Sequence, residues 1–304
     1  MYFTVFTPTY NRQKLLKKLY ESLKKQTFLD FEWIVVDDGS IDNTSKYMES
    51  ILQKEKKFPI IYEKKENGGK HTAINRGVEL ARGCFFFIVD SDDYLPEDSL
   101  EIIHNYTEQV KSNPAYAGVA GLKGDVSKNV LNQFGVGKGK TANNEYLKKD
   151  YLDATSFEYR YKYKIYGDRA EVVRTEILKQ HPFPVYEGEK FISEGLLWFT
   201  LAHEGYLFRW FNKVVYIVEE YRTDGLTKNI KEIHKKSPKG MRDYNNFLLG
   251  CNELPWIERL KAGVNYFIFG IQAGDSNKTL FKSVVCKWVA LPCFIVSCFY
   301  RRKD

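Results

Sequence analysis

Two continuous apolar runs, each ending in acidic residues and each followed by a helical pattern, constrain the fold of this chain more than any other feature. Trp33 to Val36 runs straight into Asp37-Asp38-Gly39-Ser40, and Cys84 to Val89 runs straight into Asp90-Ser91-Asp92-Asp93. An apolar run without polar alternation is a strand covered on both faces, and such strands belong to parallel sheets held between helices. The neighbouring segments agree. A strand near Tyr2 to Thr7 precedes a helix with Leu15, Leu16, Leu19 and Leu23 at helical spacing, and a helix near Thr44 to Lys54 precedes a strand at Pro59 to Glu63. Asn67-Gly68-Gly69 turns the chain into a helix carrying Ile74, Val78 and Ala81. Helix Ser99 to Ser112 and strand Tyr116 to Gly121 continue the alternation. The expected class is α/β, with a mostly parallel central sheet flanked by helices. Right-handed crossovers place the carboxyl ends of such strands on one edge, where open sheets bind their ligands. Asp37, Asp38, Asp90, Asp92 and Asp93 all fall there.

Past residue 121 the pattern changes. Lys123 to Lys149 is polar and rich in Gly and Asn, which reads as an excursion or a short hairpin. Glu158 to Tyr166 alternates Tyr with charge, Leu196 to His203 reads as a helix, and Tyr206 to Phe211 and Val214 to Tyr221 read as strands. From Ile230 onward helices return, with Trp256, Leu260, Val264 and Phe267 at roughly helical spacing. The expected division is a domain over residues 1–228, made of halves 1–121 and 122–228, and a C-terminal helical region over 229–304.

Composition narrows the function classes. With 304 residues, 43% of them hydrophobic, the chain can bury a sizeable core. The net charge of +7 comes from 46 basic and 39 acidic residues spread along the chain, so no nucleic-acid partner is expected. Five cysteines show no C-x-x-C pair and no Cys/His metal spacing, which suits a reducing, cytoplasmic setting. The apolar start, Tyr2 to Phe6, is interrupted by Pro8, Asn11 and Arg12 before a signal-peptide core forms. At the other end, Val284 to Tyr300 is strongly apolar but holds Lys287 and Pro292 and falls short of the ~20 apolar residues of a spanning helix. Lys278, Lys282, Arg301, Arg302 and Lys303 flank it. The tail 278–303 is therefore expected to lie on the inner face of the cell membrane as a peripheral contact, the alternative being a buried core helix.

Several carboxylates at the end of a buried strand repel one another unless a cation or hydrogen bonds compensate them. At Asp90-Ser91-Asp92-Asp93 a hard divalent cation, Mg²⁺ or Mn²⁺, would do so, with substrate phosphate oxygens completing its shell. Each acidic cluster could alternatively be a turn that caps the following helix. The order and spacing of Pro8-Thr9-Tyr10-Asn11, Val35-Val36-Asp37-Asp38-Gly39-Ser40, Asn67-Gly68-Gly69 and Val89-Asp90-Ser91-Asp92-Asp93 resemble those of family 2 glycosyltransferases over about the first 110 residues.

That resemblance implies a GT-A fold whose first half binds a nucleotide-sugar and whose second half binds the acceptor, with inversion at the anomeric carbon. It implies donor-pocket roles for Thr9 and Tyr10, the Tyr10 ring lying against the base, for Asp37 at the base and for Asp38 beside it. Asp90 and Asp92 resemble the family's D-x-D pair, Asp90 facing ribose or metal and Asp92 ligating the metal, while Asp93 could share either task. Lys70 follows the Gly-Gly turn at a helix start, where the dipole would help it meet donor phosphate. Asn75 and Arg76 occupy a helix that often carries donor contacts in this family.

A general base must take the acceptor proton. The family places an acidic pair before a helix in the acceptor half, and Ser193-Glu194-Gly195 is the nearest match here, with Gly195 in place of the second acid. Glu194 is the candidate base, with Glu187 and Glu189 as rivals and Trp198 as a sugar-packing or core residue. Asp168 and the row Tyr159, Tyr161, Tyr163 and Tyr166 are further acceptor-side candidates, and the loop Tyr221 to Thr227 is placed to close over donor. A phosphate loop fails because Phe134 stands where Gly135 to Thr141 would need a glycine, and the first strand turn lacks the glycines of a dinucleotide fold. Arg209-Trp210 lacks the glutamine of the processive Q-x-x-R-W signature, which favours addition of a single sugar. The expected activity is metal-dependent transfer from a nucleotide-sugar, in the first place a UDP-sugar, to a glycan or lipid-linked acceptor in surface polysaccharide synthesis. A sugar-phosphate nucleotidyltransferase and a catalytically inactive membrane scaffold are the alternatives.

Overall fold

The computed structural model describes residues 1–127, 149–219 and 230–300. The expected closing loop at Tyr221 to Thr227, the run Gly135 to Thr141 and the basic end Arg301 to Lys303 lie outside the described residues. By its internal contacts the chain forms two compact units, Met1–Pro182 with Glu204–Tyr221, and Phe183–His203 with Arg222–Asp304. Residues 183–203, expected within the first domain, therefore cluster with the C-terminal helices.

In chain order the first unit contains β1 (Phe3–Thr9), α1 (Gln13–Lys24), β2 (Phe31–Asp37), α2 (Thr44–Leu52), β3 (Ile60–Lys64), α3 (Lys70–Leu80), β4 (Phe85–Ile88) and α4 (Ser99–Val110). β5 (Tyr116–Gly124), β6 (Tyr151–Ala154), β7 (Arg169–Arg174), α5 (Thr175–Gln180) and β8 (Leu207–Ile217) follow. They form an eight-stranded sheet in the order β3-β2-β1-β4-β7-β5-β8-β6. β3, β2, β1 and β4 are mutually parallel, as are β5 and β8, whereas β7 and β6 run against their neighbours.

Double-sided burial explains the continuous apolar runs. Phe3, Val5, Trp33, Val35, Phe85 and Phe87 share one core with Leu16, Leu19 and Leu23 of α1, Met48 and Ile51 of α2, and Leu100 and Ile103 of α4. The intervening residues Phe6 and Phe86 stack at 5.1 Å on the opposite face. There α3 approaches so closely that a Cβ on Gly77 would lie 2.2 Å from the Phe6 ring. At ~25 cal/mol per Å² of apolar surface, these rings supply much of the drive that holds strand to helix.

Two local expectations change. Glu158–Lys162 forms a short π-helical turn, and Tyr159 is buried, stacked on Trp210 at 3.9 Å, with its hydroxyl accepting from Arg169 Nε at 2.6 Å. Its pairing with Trp210, distant in sequence, overrides the strand-like alternation. The separate strands expected at Tyr206 to Phe211 and Val214 to Tyr221 are one strand, β8. It advances from Trp210 to Val214 while β5 advances from Ala120 to Leu122, so a bulge absorbs Asn212 and Lys213.

The second unit contains α6 (Gly195–His203), α7 (Ile230–Lys235), α8 (Pro238–Gly250), α9 (Trp256–Gln272), α10 (Asn277–Ser283), a 3-10 turn at Lys287–Val289 and α11 (Ala290–Tyr300). Leu249, Ala262, Tyr266, Phe267, Leu280, Val284 and Cys293 form its core. Trp256, first residue of the helix that the spacing of Leu260, Val264 and Phe267 announced, is 44% exposed and stacks on Trp288 at 4.9 Å. In α11, Ala290, Cys293 and Ser297 are buried while Leu291, Ile295 and Phe299 are exposed. Among the described residues no helix is long and apolar enough to cross a membrane.

Candidate active site

The parallel register of β1, β2 and β4 sets Thr9 opposite Asp37 and Phe6 opposite Ile88, so all three strands end on the same edge of the sheet. The loops there are tied to one another. Asp37 is fully buried and its Oδ1 accepts from the Ser40 amide at 2.7 Å while its Oδ2 accepts from the Tyr62 hydroxyl at 2.7 Å. Asp38 Oδ1 accepts from the Gly68 amide at 2.9 Å and from Lys65 Nζ at 2.8 Å, and its Oδ2 accepts from the Gly69 amide at 2.8 Å. Gly69 reaches this position with φ of 93°, which a side chain would strain. The Asn11 amide donates to Ser40 Oγ at 2.7 Å, and Asn11 Oδ1 accepts from the Ile41 amide at 2.8 Å. Three sequence motifs thus hold each other by hydrogen bonds. Asp37 and Asp38, expected to face a ligand, carry protein donors in this structure.

Thr9 and Tyr10 offer freer groups. Thr9 Oγ1 is buried without a hydrogen-bond partner among the described residues, and the Tyr10 ring is 47% exposed.

At the end of β4 each carboxylate has its own counter-group. Asp90 Oδ1 lies 2.7 Å from Lys70 Nζ, and Asp92 Oδ2 lies 3.5 Å from Arg12 Nη1. Tyr216 links Asp93 to the Asp90 backbone: its oxygen accepts from the Asp90 amide at 3.0 Å and its hydroxyl donates to Asp93 Oδ2 at 2.7 Å. Lys123, on β5, lies 4.5 Å from the Tyr216 ring centre. Burial works to raise the Asp90 carboxyl, but Lys70, Lys123 and Arg12 outweigh it and hold it below its ordinary range. Asp93 moves the other way, up to about 7, because of burial and then the neighbouring Asp90 charge. Burial likewise opposes the charge on Lys123, yet Asp90, Asp168, Glu171 and Asp93 raise it above the ordinary lysine range.

The oxygen donors Asp90 and Asp92 suit a hard divalent cation. Among the described residues the three carboxylates do not close on one point, since the cluster with metal-ligand spacing lies elsewhere. They fit a site of one or two carboxylates completed by substrate phosphate and water, as Mg²⁺ commonly uses.

The sequence reading missed Arg12, Lys123 and Tyr216. Tyr216 had one usable signal: a tyrosine on a buried strand needs a partner for its hydroxyl. Of the other candidates, Arg76 makes a bidentate pair with Glu63 at 2.6 and 2.8 Å and a bond to Glu79 at 2.7 Å. Asn75 is half-buried and Asp168 is exposed.

The expected base lies in the second unit. Glu194 is half-buried, and its carbonyl accepts from the amides of Leu197 and Trp198 in the first turn of α6. Gly195 has a spatial reason: a Cβ there would sit 2.8 Å from the Tyr244 hydroxyl. Of the rivals, Glu187 is exposed, whereas Glu189 is buried and accepts from the amides of Lys239 at 2.7 Å and Gly240 at 2.9 Å, capping α8. Trp198 is half-buried.

Comparison with known proteins agrees with this architecture. Residues 4–176 match the family model for glycosyl transferase family 2. The chain is 30% identical over 229 residues to GalNAc(5)-diNAcBac-PP-undecaprenol beta-1,3-glucosyltransferase of Campylobacter jejuni, covering 74% of this chain and 66% of that protein. It is 32% identical over 106 residues to glycosyltransferase GlyG of Streptococcus pneumoniae, 35% of each chain. The matched region therefore spans less than two thirds of either relative. The crystal structure of S. aureus TarS 1-349 in complex with UDP-GlcNAc superposes with a TM-score of 0.59 at 22% identity, over 98% of this chain and 79% of that one, and shares the GT-A fold. On its family match and the edge of carboxylates that the match spans, the chain belongs to glycosyl transferase family 2.

Proposed function

We propose that this chain transfers a sugar from a nucleotide-sugar, in the first place a UDP-sugar, to a hydroxyl of a glycan or lipid-linked acceptor, with inversion and with a divalent metal. One observation carries the reading: Asp90 and Asp92 end a buried parallel strand amid the cations Lys70, Arg12 and Lys123. Such an edge accepts a phosphate-bearing ligand, because Lys70 and Arg12 can exchange a carboxylate for diphosphate oxygens at little electrostatic cost. The exposed Tyr10 ring offers a face to the base, and the unpartnered Thr9 hydroxyl can bond to ribose or base. Mn²⁺ or Mg²⁺ held by Asp90 and Asp92 would stabilise the charge of the departing nucleoside diphosphate. Glu194 would take the acceptor proton as the hydroxyl oxygen bonds to the anomeric carbon and the bond to diphosphate breaks.

The named acceptor of the C. jejuni relative is undecaprenol-linked, and the mannosyltransferase PcManGT from Pyrobaculum calidifontis, TM-score 0.50, was solved with GDP-Man and Mn²⁺. The outward row Leu291, Ile295 and Phe299 on α11 supports a peripheral contact with the cytoplasmic face of the membrane, which would bring the chain to such acceptors. The test incubates purified protein and a panel of UDP-, GDP- and dTDP-sugars with Mn²⁺ and measures release of nucleoside diphosphate. Release from one donor class, abolished by chelator, is the expected outcome. Pyrophosphate formation from nucleoside triphosphates would replace this reading with a nucleotidyltransferase, and silence with every donor and acceptor would replace it with a scaffold.

A further inference from the structure

The second unit holds a group of ligand atoms with no part in the proposed transfer. The imidazole of His203, the thiol of Cys251 and the carboxylate of Glu253 each offer one atom, and these atoms all lie within 4.8 Å of one another. His203 is the last residue of α6, Cys251 follows the end of α8, and Glu253 lies in the turn between α8 and α9. We propose that these residues form a second metal centre for zinc or a similar borderline divalent ion, pinning the end of α6 to the α8–α9 turn.

Nitrogen, sulfur and oxygen donors suit Zn²⁺, whereas the carboxylates after β4 suit a harder ion. With zinc bonds of about 2.0 to 2.3 Å, tetrahedral ligands stand roughly 3.5 Å apart, so these atoms need shifts of about an ångström or less. His203 Nδ1 and Glu253 Oε1 already lie 2.9 Å apart. The surroundings orient two of the three ligands. Phe247 meets the His203 ring edge to face at 5.8 Å, and its carbonyl accepts from Cys251 Sγ at 3.3 Å. Cys251 is buried while His203 and Glu253 are exposed, so the ion would enter from solvent and meet the thiol at the bottom of the site. The fourth position is left for water.

The test titrates Co²⁺, a spectroscopic substitute for Zn²⁺, into the metal-stripped chain of 304 residues. A sulfur-to-cobalt charge-transfer band saturating at one equivalent is expected. It should persist in Asp92→Asn, where the oxygen site is impaired, and vanish in Cys251→Ser. His203→Gln, an exposed change that leaves the fold intact, should weaken Co²⁺ binding by about tenfold or more. In the Asp92→Asn background, Zn²⁺ should displace Co²⁺ and raise Tm through mass action. Absence of the band in the parent chain, its survival in Cys251→Ser, or unchanged affinity in His203→Gln would each overturn the proposal. None of these readouts depends on transferase activity.

Discussion

Among single residues, Asp92 and His71 separate chemistry from stability. Asp92 is partly exposed and pairs with Arg12 at 3.5 Å, so Asp92→Asn removes the proposed metal ligand with little structural consequence. Loss of Mn²⁺-dependent turnover by a hundredfold or more, with Tm changed by no more than a few degrees, is the expected result of a coupled activity and melting assay. His71 behaves oppositely. It is 2% exposed, and neither ring nitrogen has a hydrogen-bond partner among the described residues. Burial, opposed by Asp38 and reinforced by Lys65, lowers it to about 4 from an unfolded value near 6.5. The unfolded chain therefore takes the proton first. Its contribution to stability is fully present above pH ~6.5 and is lost as pH falls toward about 4, with about 2 kcal/mol gone by pH 5. Urea midpoints at pH 7.5 and pH 5 test this, since His71→Phe should flatten that slope.

Among the elements, the termini of α6 and α8 carry the sharpest expectations. Both oxygens of Glu189 take backbone amides in the first turn of α8, so Glu189→Ala should cost about 1–2 kcal/mol by denaturant titration. Gly195 begins α6, where Gly→Ala ordinarily stabilises by ~0.4–1 kcal/mol. Here the new methyl would press on the Tyr244 hydroxyl at 2.8 Å. Gly195→Ala should therefore destabilise the parent chain yet stabilise a Tyr244→Phe background, a sign change that a double-mutant cycle reads directly. Much of the element pattern was legible in advance. Every strand from β1 to β5 was anticipated within a few residues, because each contains a short run of apolar residues next to turn-forming Gly, Pro or Asp. The π-helical turn at Tyr159 was not, because its stability comes from stacking on Trp210.

At the level of the whole molecule, α11 has apolar residues on all sides, and among the described residues protein buries the stripe Ala290, Cys293 and Ser297 while Leu291, Ile295 and Phe299 face outward. Replacing Leu291, Ile295 and Phe299 together with serine should abolish flotation with anionic vesicles while leaving donor turnover in solution unchanged. Flotation equal to the parent chain would remove the membrane contact from the proposal.

The amino-acid sequence determined the α/β class, the shared edge of carboxylates and the family, since period, strand-end chemistry and motif order are local properties that survive without coordinates. Tertiary structure decided the rest. It turned Asp37 and Asp38 inward onto loop amides and set Lys70 and Arg12 against Asp90 and Asp92. It brought Lys123 and Tyr216 to Asp90 from distant strands, and gathered His203, Cys251 and Glu253. Each of these depends on which residues far apart in the chain meet, and a carboxylate's role follows from the partner it meets rather than from its neighbours in sequence.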